Sequence, residues 1–134
     1  MPFVHHTVVR LRDTDAAGLI FFPRLLELAH DAYETFSDEA GFSLASRIKG
    51  PGPLLPIVHC DADYLQPMRL GMRLHIESTL ERAGDTSFTL AYRFVGDDGA
   101  ELARARTVHV ALDSKSGRAV ALPAEIREKL AGLR

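Results

Sequence analysis

The stretch that decides the fold is residues 22–41, which read FPRLLELAHDAYETFSDEAG. Its apolar residues recur every three or four positions, which is the spacing of one face of an α-helix. These residues are Phe22, Leu25, Leu26, Ala29, Tyr33 and Phe36. Pro23 suits the first turn of a helix, where its missing N–H is not needed, and Gly41 is a natural C-terminal stop. The pattern predicts one long helix over residues 23–40, long enough to cross a small domain.

The rest of the chain has the pattern of β-strands joined by short turns. Residues 73–81 and 87–95 alternate apolar and polar side chains, and glycine-rich turns follow both. The other predicted strands are Val4–Arg12, Ile57–Gln66 and Ala100–Asp113, with a loop at Lys49–Pro53 and a last helix over Pro123–Leu133. Small residues on one face of the last strand would let the long helix lie close to the sheet. The sequence therefore predicts an α+β domain in two layers: one long helix and an antiparallel sheet of about five strands, the last four in a meander.

Length and composition restrict the class of protein. The 134 residues make one domain, 1–134, and 16 basic residues nearly balance 18 acidic ones. This balance and the absence of Trp argue against nucleic-acid binding. No stretch has the roughly 18 apolar residues of a membrane span, and no secretory signal is evident, so we expect a cytoplasmic protein that does not bind membranes. The single cysteine, Cys60, excludes an intrachain disulfide, and we expect it to be buried and unreactive.

The segment that could carry chemistry comes directly before the helix. Residues 10–23, RLRDTDAAGLIFFP, place Asp13, Asp15 and Gly18 just ahead of the predicted helix start. An aspartate here could simply cap the helix or lie in a solvated loop. Alternatively, a carboxylate beside free backbone N–H groups could attack a carbonyl that those groups polarise, or activate a water for the attack. The residues alone leave both interpretations open.

The string Asp13-Thr14-Asp15-Ala16-Ala17-Gly18 before a long helix resembles the hot-dog-fold acyl-CoA thioesterases of the 4-hydroxybenzoyl-CoA thioesterase family. The resemblance continues through residues 56–68, PIVHCDADYLQPM, and covers most of the chain. It implies a curved sheet around the helix and a dimer or tetramer with active sites between subunits. It also implies that Asp15 is the catalytic carboxylate, that the helix start near Phe22 supplies the polarising N–H, and that Gly18 lets the loop approach closely. Asp13 would tie the loop down, and no cofactor is expected.

Two shorter strings narrow the expected substrate. His30-Asp31-Ala32-Tyr33-Glu34 and Ile57-Val58-His59 resemble most the 1,4-dihydroxy-2-naphthoyl-CoA thioesterases of quinone (menaquinone) biosynthesis, although Asp31 stands where Glu is more familiar. The alternatives are a 4-hydroxybenzoyl-CoA thioesterase, a short acyl-CoA or acyl-carrier-protein thioesterase, and a non-catalytic acyl-binding domain. A hydratase of the same fold is a further alternative, which the loop aspartate disfavours. Another branch of these thioesterases uses a helical glutamate, but here we expect Glu27 and Glu34 to be solvated.

The remaining site predictions concern coenzyme A. Its phosphates favour a basic surface, for which Arg69 and Arg73, and also Arg104 and Arg106, are candidates. His59 could face the substrate of a neighbouring subunit, whereas a structural role is the commoner one for a histidine, as for His30. We expect Tyr64 to be a core residue. The histidines and carboxylates do not show metal-ligand spacing, so the sequence predicts no metal.

Overall fold

In the computed structural model, which describes residues 1–134, the chain forms five strands, three helices and one 3-10 turn at Leu11–Asp13. The strands are β1 (Phe3–Val8), β2 (Ile57–Tyr64), β3 (Arg73–Ala83), β4 (Ser87–Gly96) and β5 (Glu101–Val110). The helices are α1 (Arg24–Ala40), α2 (Leu44–Lys49) and α3 (Ala124–Ala131). The α+β class and the five-stranded antiparallel sheet are as predicted.

The strand order is β1-β3-β4-β5-β2, which corrects the predicted four-strand meander. Only β3, β4 and β5 form a meander, while β2 pairs with β5 at the far edge, with Asp61 opposite Arg106 and Ala62 opposite Ala105. The turn signals identified the two hairpins correctly, because a short turn forces its two strands to pair. The longer connection from β2 to β3 imposes no such pairing, so the sequence could not show that β2 lies at the edge of the sheet beside β5.

The core lies between α1 and one face of the sheet. The helix buries Leu25, Ala29, Tyr33 and Phe36 as predicted, with Leu28 and Ala32 in addition. The sheet supplies the apolar rows of β3 and β4 and the small side chains of β5, of which Ala103 and Ala105 are almost fully buried. A row of alanines keeps this face flat, so that the helix can pack closely on it.

Two features of the first half differ from the predictions. The helix begins at Arg24, so Phe22 lies outside it with 67% of its surface exposed. The strand predicted over Val4–Arg12 ends at Val8, because Leu11–Asp13 turns as a 3-10 helix.

The short helix α2 was not predicted. Six residues are too few for a clear periodic pattern, although Ser43 caps it by accepting a hydrogen bond from the Ser46 N–H at 3.2 Å. The loop predicted at 49–53 follows it. No helix in the structure has both the length and the apolar character needed to cross a membrane.

Candidate active site

Asp15 lies in a tight, exposed loop between the 3-10 turn and α1. Its carboxylate Oδ1 accepts a hydrogen bond from the Ala17 N–H at 2.8 Å, and its carbonyl accepts one from the Gly18 N–H at 3.0 Å. Gly18 has a φ of 76°, a left-handed conformation that favours glycine over other residues. The loop therefore holds the Asp15 carboxylate at the surface, and its second oxygen has no hydrogen-bond partner in the chain.

Asp13, two residues earlier, has the opposite environment and is almost fully buried. One carboxylate oxygen accepts from the Arg10 N–H at 2.9 Å, and the other accepts from Arg24 Nη2 at 2.6 Å and Nε at 3.1 Å. Burial acts to raise the pKa of Asp13, but the Arg10 N–H and the Arg24 guanidinium outweigh it and hold the pKa below its usual value. Asp13 thus ties the loop to α1, in agreement with the structural role expected for it.

The backbone N–H of Phe22 is free. From residue 20 to residue 26, the other N–H groups donate to carbonyl oxygens of the chain: Ile20 to Met68, Phe21 to Asp13, and those of residues 24–26 to residues 21–23. Phe22 N–H donates to none, and Pro23 has no N–H. A donor left unpaired at an exposed residue, just before the positive end of α1, is suited to polarise a carbonyl oxygen.

An apolar pocket adjoins this loop. It has a volume of about 280 Å³ and is lined by Leu19, Ile20 and residues 64–68 at the end of β2. The loop is fixed to this segment by hydrogen bonds from the Ile20 N–H to the Met68 carbonyl at 2.8 Å and from the Leu70 N–H to the Gly18 carbonyl at 3.0 Å. An acyl group in the pocket would lie beside the catalytic candidates.

Tyr64 corrects the prediction of a core residue. It is 45% exposed, and its hydroxyl donates to the carbonyl oxygen of Phe22. This contact links the end of β2 to the residue that carries the free N–H. No local pattern in the sequence indicates this contact, because it joins residues 42 positions apart. The partial burial of this side chain still raises the pKa of the Tyr64 hydroxyl.

The four arginines named as candidates for coenzyme A binding lie in different places. Arg69 is exposed and forms an isolated antiparallel β-bridge with Leu19, directly beside the Asp15 loop. Arg73 opens β3 opposite Val8 and lines a separate cleft with Arg12 and Arg24. Arg104 and Arg106 lie on the face of the sheet away from α1, where each is paired with a carboxylate: Arg104 with Glu101, and Arg106 with Asp61 at 3.1 Å.

His59 is also on that outer face, and neither its hydrogen bond nor its ion pair involves Asp15. Its ring lies 3.2 Å from the Asp61 carboxylate, and 62% of its side chain is exposed. It is five residues along β2 from Tyr64, a separation of roughly 16 Å. Cys60, its neighbour, is exposed, which corrects the prediction of a buried thiol. β2 is an edge strand, so alternation along it does not imply burial.

The helical glutamates lie on the exposed face of α1, as expected. Glu27 pairs with Arg24, and Glu34 lies 3.1 Å from His30. Neither lines the apolar pocket beside Asp15.

The core contains a row of buried polar side chains, linked by hydrogen bonds, that the sequence did not predict. The hydroxyl oxygens of Tyr92 and Thr107 lie 3.1 Å apart, Thr107 lies 2.9 Å from His109 Nε2, and His109 Nδ1 lies 3.3 Å from the Leu55 carbonyl. Because that carbonyl can only accept, Nδ1 carries the proton and Nε2 accepts from Thr107. His109 is fully buried, and burial lowers its pKa to about 4, against the opposing effect of the Leu55 carbonyl. The sequence did not predict this, because the burial of His109 depends on the aromatic rings that pack around it.

No three histidine, cysteine or acidic side chains converge as a metal site.

A family model described as the Thioesterase-like superfamily matches residues 9–130. The chain belongs to the Thioesterase-like superfamily.

Individual members of the superfamily are similar to this chain over most of its length. The 1,4-dihydroxy-2-naphthoyl-CoA hydrolase of Nostoc punctiforme is 34% identical over 126 residues, which cover 94% of this chain and 84% of the relative. The hydrolase of the same name from Synechococcus elongatus is 36% identical over 124 residues, covering 92% and 90%. The crystal structure of a 1,4-dihydroxy-2-naphthoyl-CoA thioesterase from Synechocystis superimposes with a TM-score of 0.93 at 30% identity, covering 99% of this chain and 98% of that one. The hot-dog thioesterase fold implied by the resemblance is thereby confirmed.

Proposed function

We propose that this thioester hydrolase cleaves an aromatic acyl-CoA, with 1,4-dihydroxy-2-naphthoyl-CoA as the substrate. The names of the relatives above support the naphthoyl ester, and the apolar pocket beside the Asp15 loop suits an aromatic acyl group. The second candidate is 4-hydroxybenzoyl-CoA, whose smaller ring would fit the same apolar surroundings.

The free N–H of Phe22 is the observation that carries the proposal. A thioester carbonyl placed against this donor becomes more electrophilic, and the negative charge that develops on its oxygen during attack is stabilised. Such a donor contributes on the order of 3 kcal/mol in known sites. The positive end of α1 adds to the effect, because the helix starts only two residues later.

Asp15 supplies the second requirement, a carboxylate close to the bound carbonyl. As a general base, it would take a proton from a water whose oxygen attacks the carbonyl carbon. As a nucleophile, it would attack that carbon itself and form an anhydride that water then hydrolyses. In both routes the carbon–sulfur bond breaks, coenzyme A leaves as a thiolate that takes up a proton, and the free acid is released. The left-handed turn at Gly18 would let the loop approach the thioester closely.

The coenzyme A end and the assembly complete the proposal. Arg69, exposed beside the loop, would contact the phosphate-bearing part of coenzyme A. His59 would reach substrate from a neighbouring subunit, since along β2 it lies roughly 16 Å from Tyr64, which lines the apolar pocket of its own chain. We therefore propose a cytoplasmic homo-oligomer, at least a dimer, with its active sites between subunits.

Replacement of Asp15 by Asn tests the assignment. The variant keeps the shape and hydrogen-bonding capacity of the side chain but loses its charge and basicity. We expect kcat to fall by roughly 10²–10⁴ with little change in KM, because the pocket and the Phe22 N–H are unaffected. The matched control is Asp38→Asn, which makes the same change at an exposed position of α1 and should leave kcat unchanged. If Asp15→Asn is fully active while Glu27→Gln or Glu34→Gln is inactive, the catalytic carboxylate lies on the helix.

A panel of thioesters tests the substrate. Release of coenzyme A thiol from naphthoyl, benzoyl, acetyl and butyryl esters should give the highest kcat/KM for the aromatic esters, naphthoyl first. Equal or faster turnover of acetyl-CoA or butyryl-CoA would contradict the aromatic assignment. Binding of the naphthoyl ester without thiol release would instead indicate a non-catalytic acyl-binding domain.

A further inference from the structure

We propose that a second site, at the end of β1, binds a phosphate-bearing ligand. The site is a cleft of about 320 Å³ that shares no residue with the apolar pocket beside Asp15. We call it the arginine cleft. Its charged lining comes from the end of β1 and the 3-10 turn, the first residue of β3, and one face of α1: Arg10, Arg12, Arg24, Arg73, Asp13 and Asp31.

Three of these arginines have no carboxylate partner. Arg24 is paired with Asp13 and Glu27, but Arg10, Arg12 and Arg73 make no salt bridge, although all three border the same cleft. The arginines on the outer face of β4 and β5 are different, because Arg93, Arg104 and Arg106 each have a carboxylate within 3.5 Å. Positive charge is therefore left uncompensated at the cleft, in a chain whose net charge is −2.

The charge and the donors of the cleft fit a phosphate group. With Glu27, which pairs with Arg24, included, four arginines face three carboxylates, so the cleft keeps an excess of positive charge that favours a phosphate group. A guanidinium group binds two phosphate oxygens at once through its planar fork of N–H donors. Thr7 and His6, which also line the cleft, add a hydroxyl and a ring nitrogen as further hydrogen-bonding groups.

Two sources can supply this chemistry: the nucleotide end of a coenzyme A thioester, or a separate phosphate compound. The first source rests on the proposed function, and the second does not. In either case the cleft is linked to the catalytic candidate, because Arg12 and Asp13 line it and Asp15 follows in the same loop.

Binding of phosphate compounds to the enzyme without substrate tests the site itself. The probes are inorganic pyrophosphate and adenosine 3′,5′-bisphosphate, with adenosine as the phosphate-free comparison, measured by isothermal titration calorimetry. We expect both phosphate probes to bind and adenosine not to bind. The double variant Arg12→Gln/Arg73→Gln should weaken the binding at least about tenfold, because it removes two charge-assisted contacts. Both side chains are exposed, so the variant should fold normally.

The matched control is Arg82→Gln/Arg118→Gln, which removes the same charge from exposed positions outside the cleft. It should bind the probes as the wild type does. Absence of pyrophosphate and bisphosphate binding to the wild type would overturn the proposal, and so would equal weakening in the two double variants. Neither measurement needs catalysis, so a failure here is distinguishable from a failure of the proposed function.

A kinetic comparison then identifies the source of the phosphate. An aromatic acyl-CoA and the corresponding acyl-pantetheine, which lacks the phosphates, are hydrolysed by the wild type and by Arg12→Gln/Arg73→Gln. If the cleft holds the nucleotide end of the substrate, the variant raises KM about tenfold or more for the CoA thioester only. If it holds a separate phosphate compound, KM stays unchanged for both thioesters, while the loss of pyrophosphate binding persists.

Discussion

Lowering the pH should destabilise the fold through one buried residue, His109. The ring is fully enclosed, stacked on Phe88 with ring centroids 4.6 Å apart, and neutral because its Nε2 accepts from Thr107. Protonation of Nε2 would remove that acceptor and place a charge in the core. The unfolded chain has no such restriction, and its histidine takes up a proton in the ordinary range. Acid therefore stabilises the unfolded state relative to the folded one.

The size of the effect follows from the two pKa values. The pKa falls from 6.5 for an unperturbed histidine to about 4 in the fold. The unfolded state thus binds more protons between these values, and the free energy of unfolding decreases as the pH falls through that window. At about pH 5 the expected loss is about 2 kcal/mol, and below the folded pKa it levels off at about 3 kcal/mol. Carboxylates with lowered pKa values, such as those of Asp13 and Asp61, start from 3.8 and act only in more acidic solution.

Urea denaturation at about pH 7.5 and about pH 5, at one fixed protein concentration, measures this loss. The wild type should lose about 2 kcal/mol more than His109→Gln, whose side chain does not titrate. His109→Gln is expected to be less stable at both pH values, so the difference between the two pH values is the relevant quantity. The exposed His6→Gln should lose as much as the wild type. If His109→Gln loses as much as well, another group is responsible and the reasoning is refuted.

Three further outcomes are expected. Asp13→Asn should lower Tm by about 5 °C, because it removes the carboxylate that accepts hydrogen bonds from Arg24 and the Arg10 N–H. Its kcat should fall less than that of Asp15→Asn, and a stable but inactive Asp13→Asn variant would instead assign Asp13 to the chemistry. Tyr64→Phe, which removes the hydrogen bond to the Phe22 carbonyl, should lower kcat about threefold to tenfold at constant KM in steady-state assays. Unchanged kcat would show that the rest of the loop suffices to hold Phe22. Light scattering at micromolar concentration should give at least twice the 14.8 kDa of one chain, and a monomer would contradict a site shared between subunits.

The motif residues show how far the sequence could predict the candidate site. The motif residues Asp13, Asp15 and Gly18 lie within six positions of one segment. The backbone conformation of such a short segment depends mainly on its own residues, so the sequence could indicate it. The contrast between a buried Asp13 and an exposed Asp15 depends on Arg24, which is nearby in the chain. The Tyr64 contact spans 42 residues and depends on where β2 ends, so no local pattern could indicate it.

Elements with local patterns could be predicted from the sequence. The helix over 24–40 follows from apolar residues at helical spacing, and the hairpins of β3, β4 and β5 follow from alternation between glycine turns. Long-range packing sets three other features: β2 joins the sheet beside β5, Cys60 is exposed, and His109 lies buried among aromatic rings. It also decided that three arginines without carboxylate partners share one cleft. The physical reason is that alternation assigns a residue to one face of a strand, whereas burial and charge pairing depend on which distant segment covers that face.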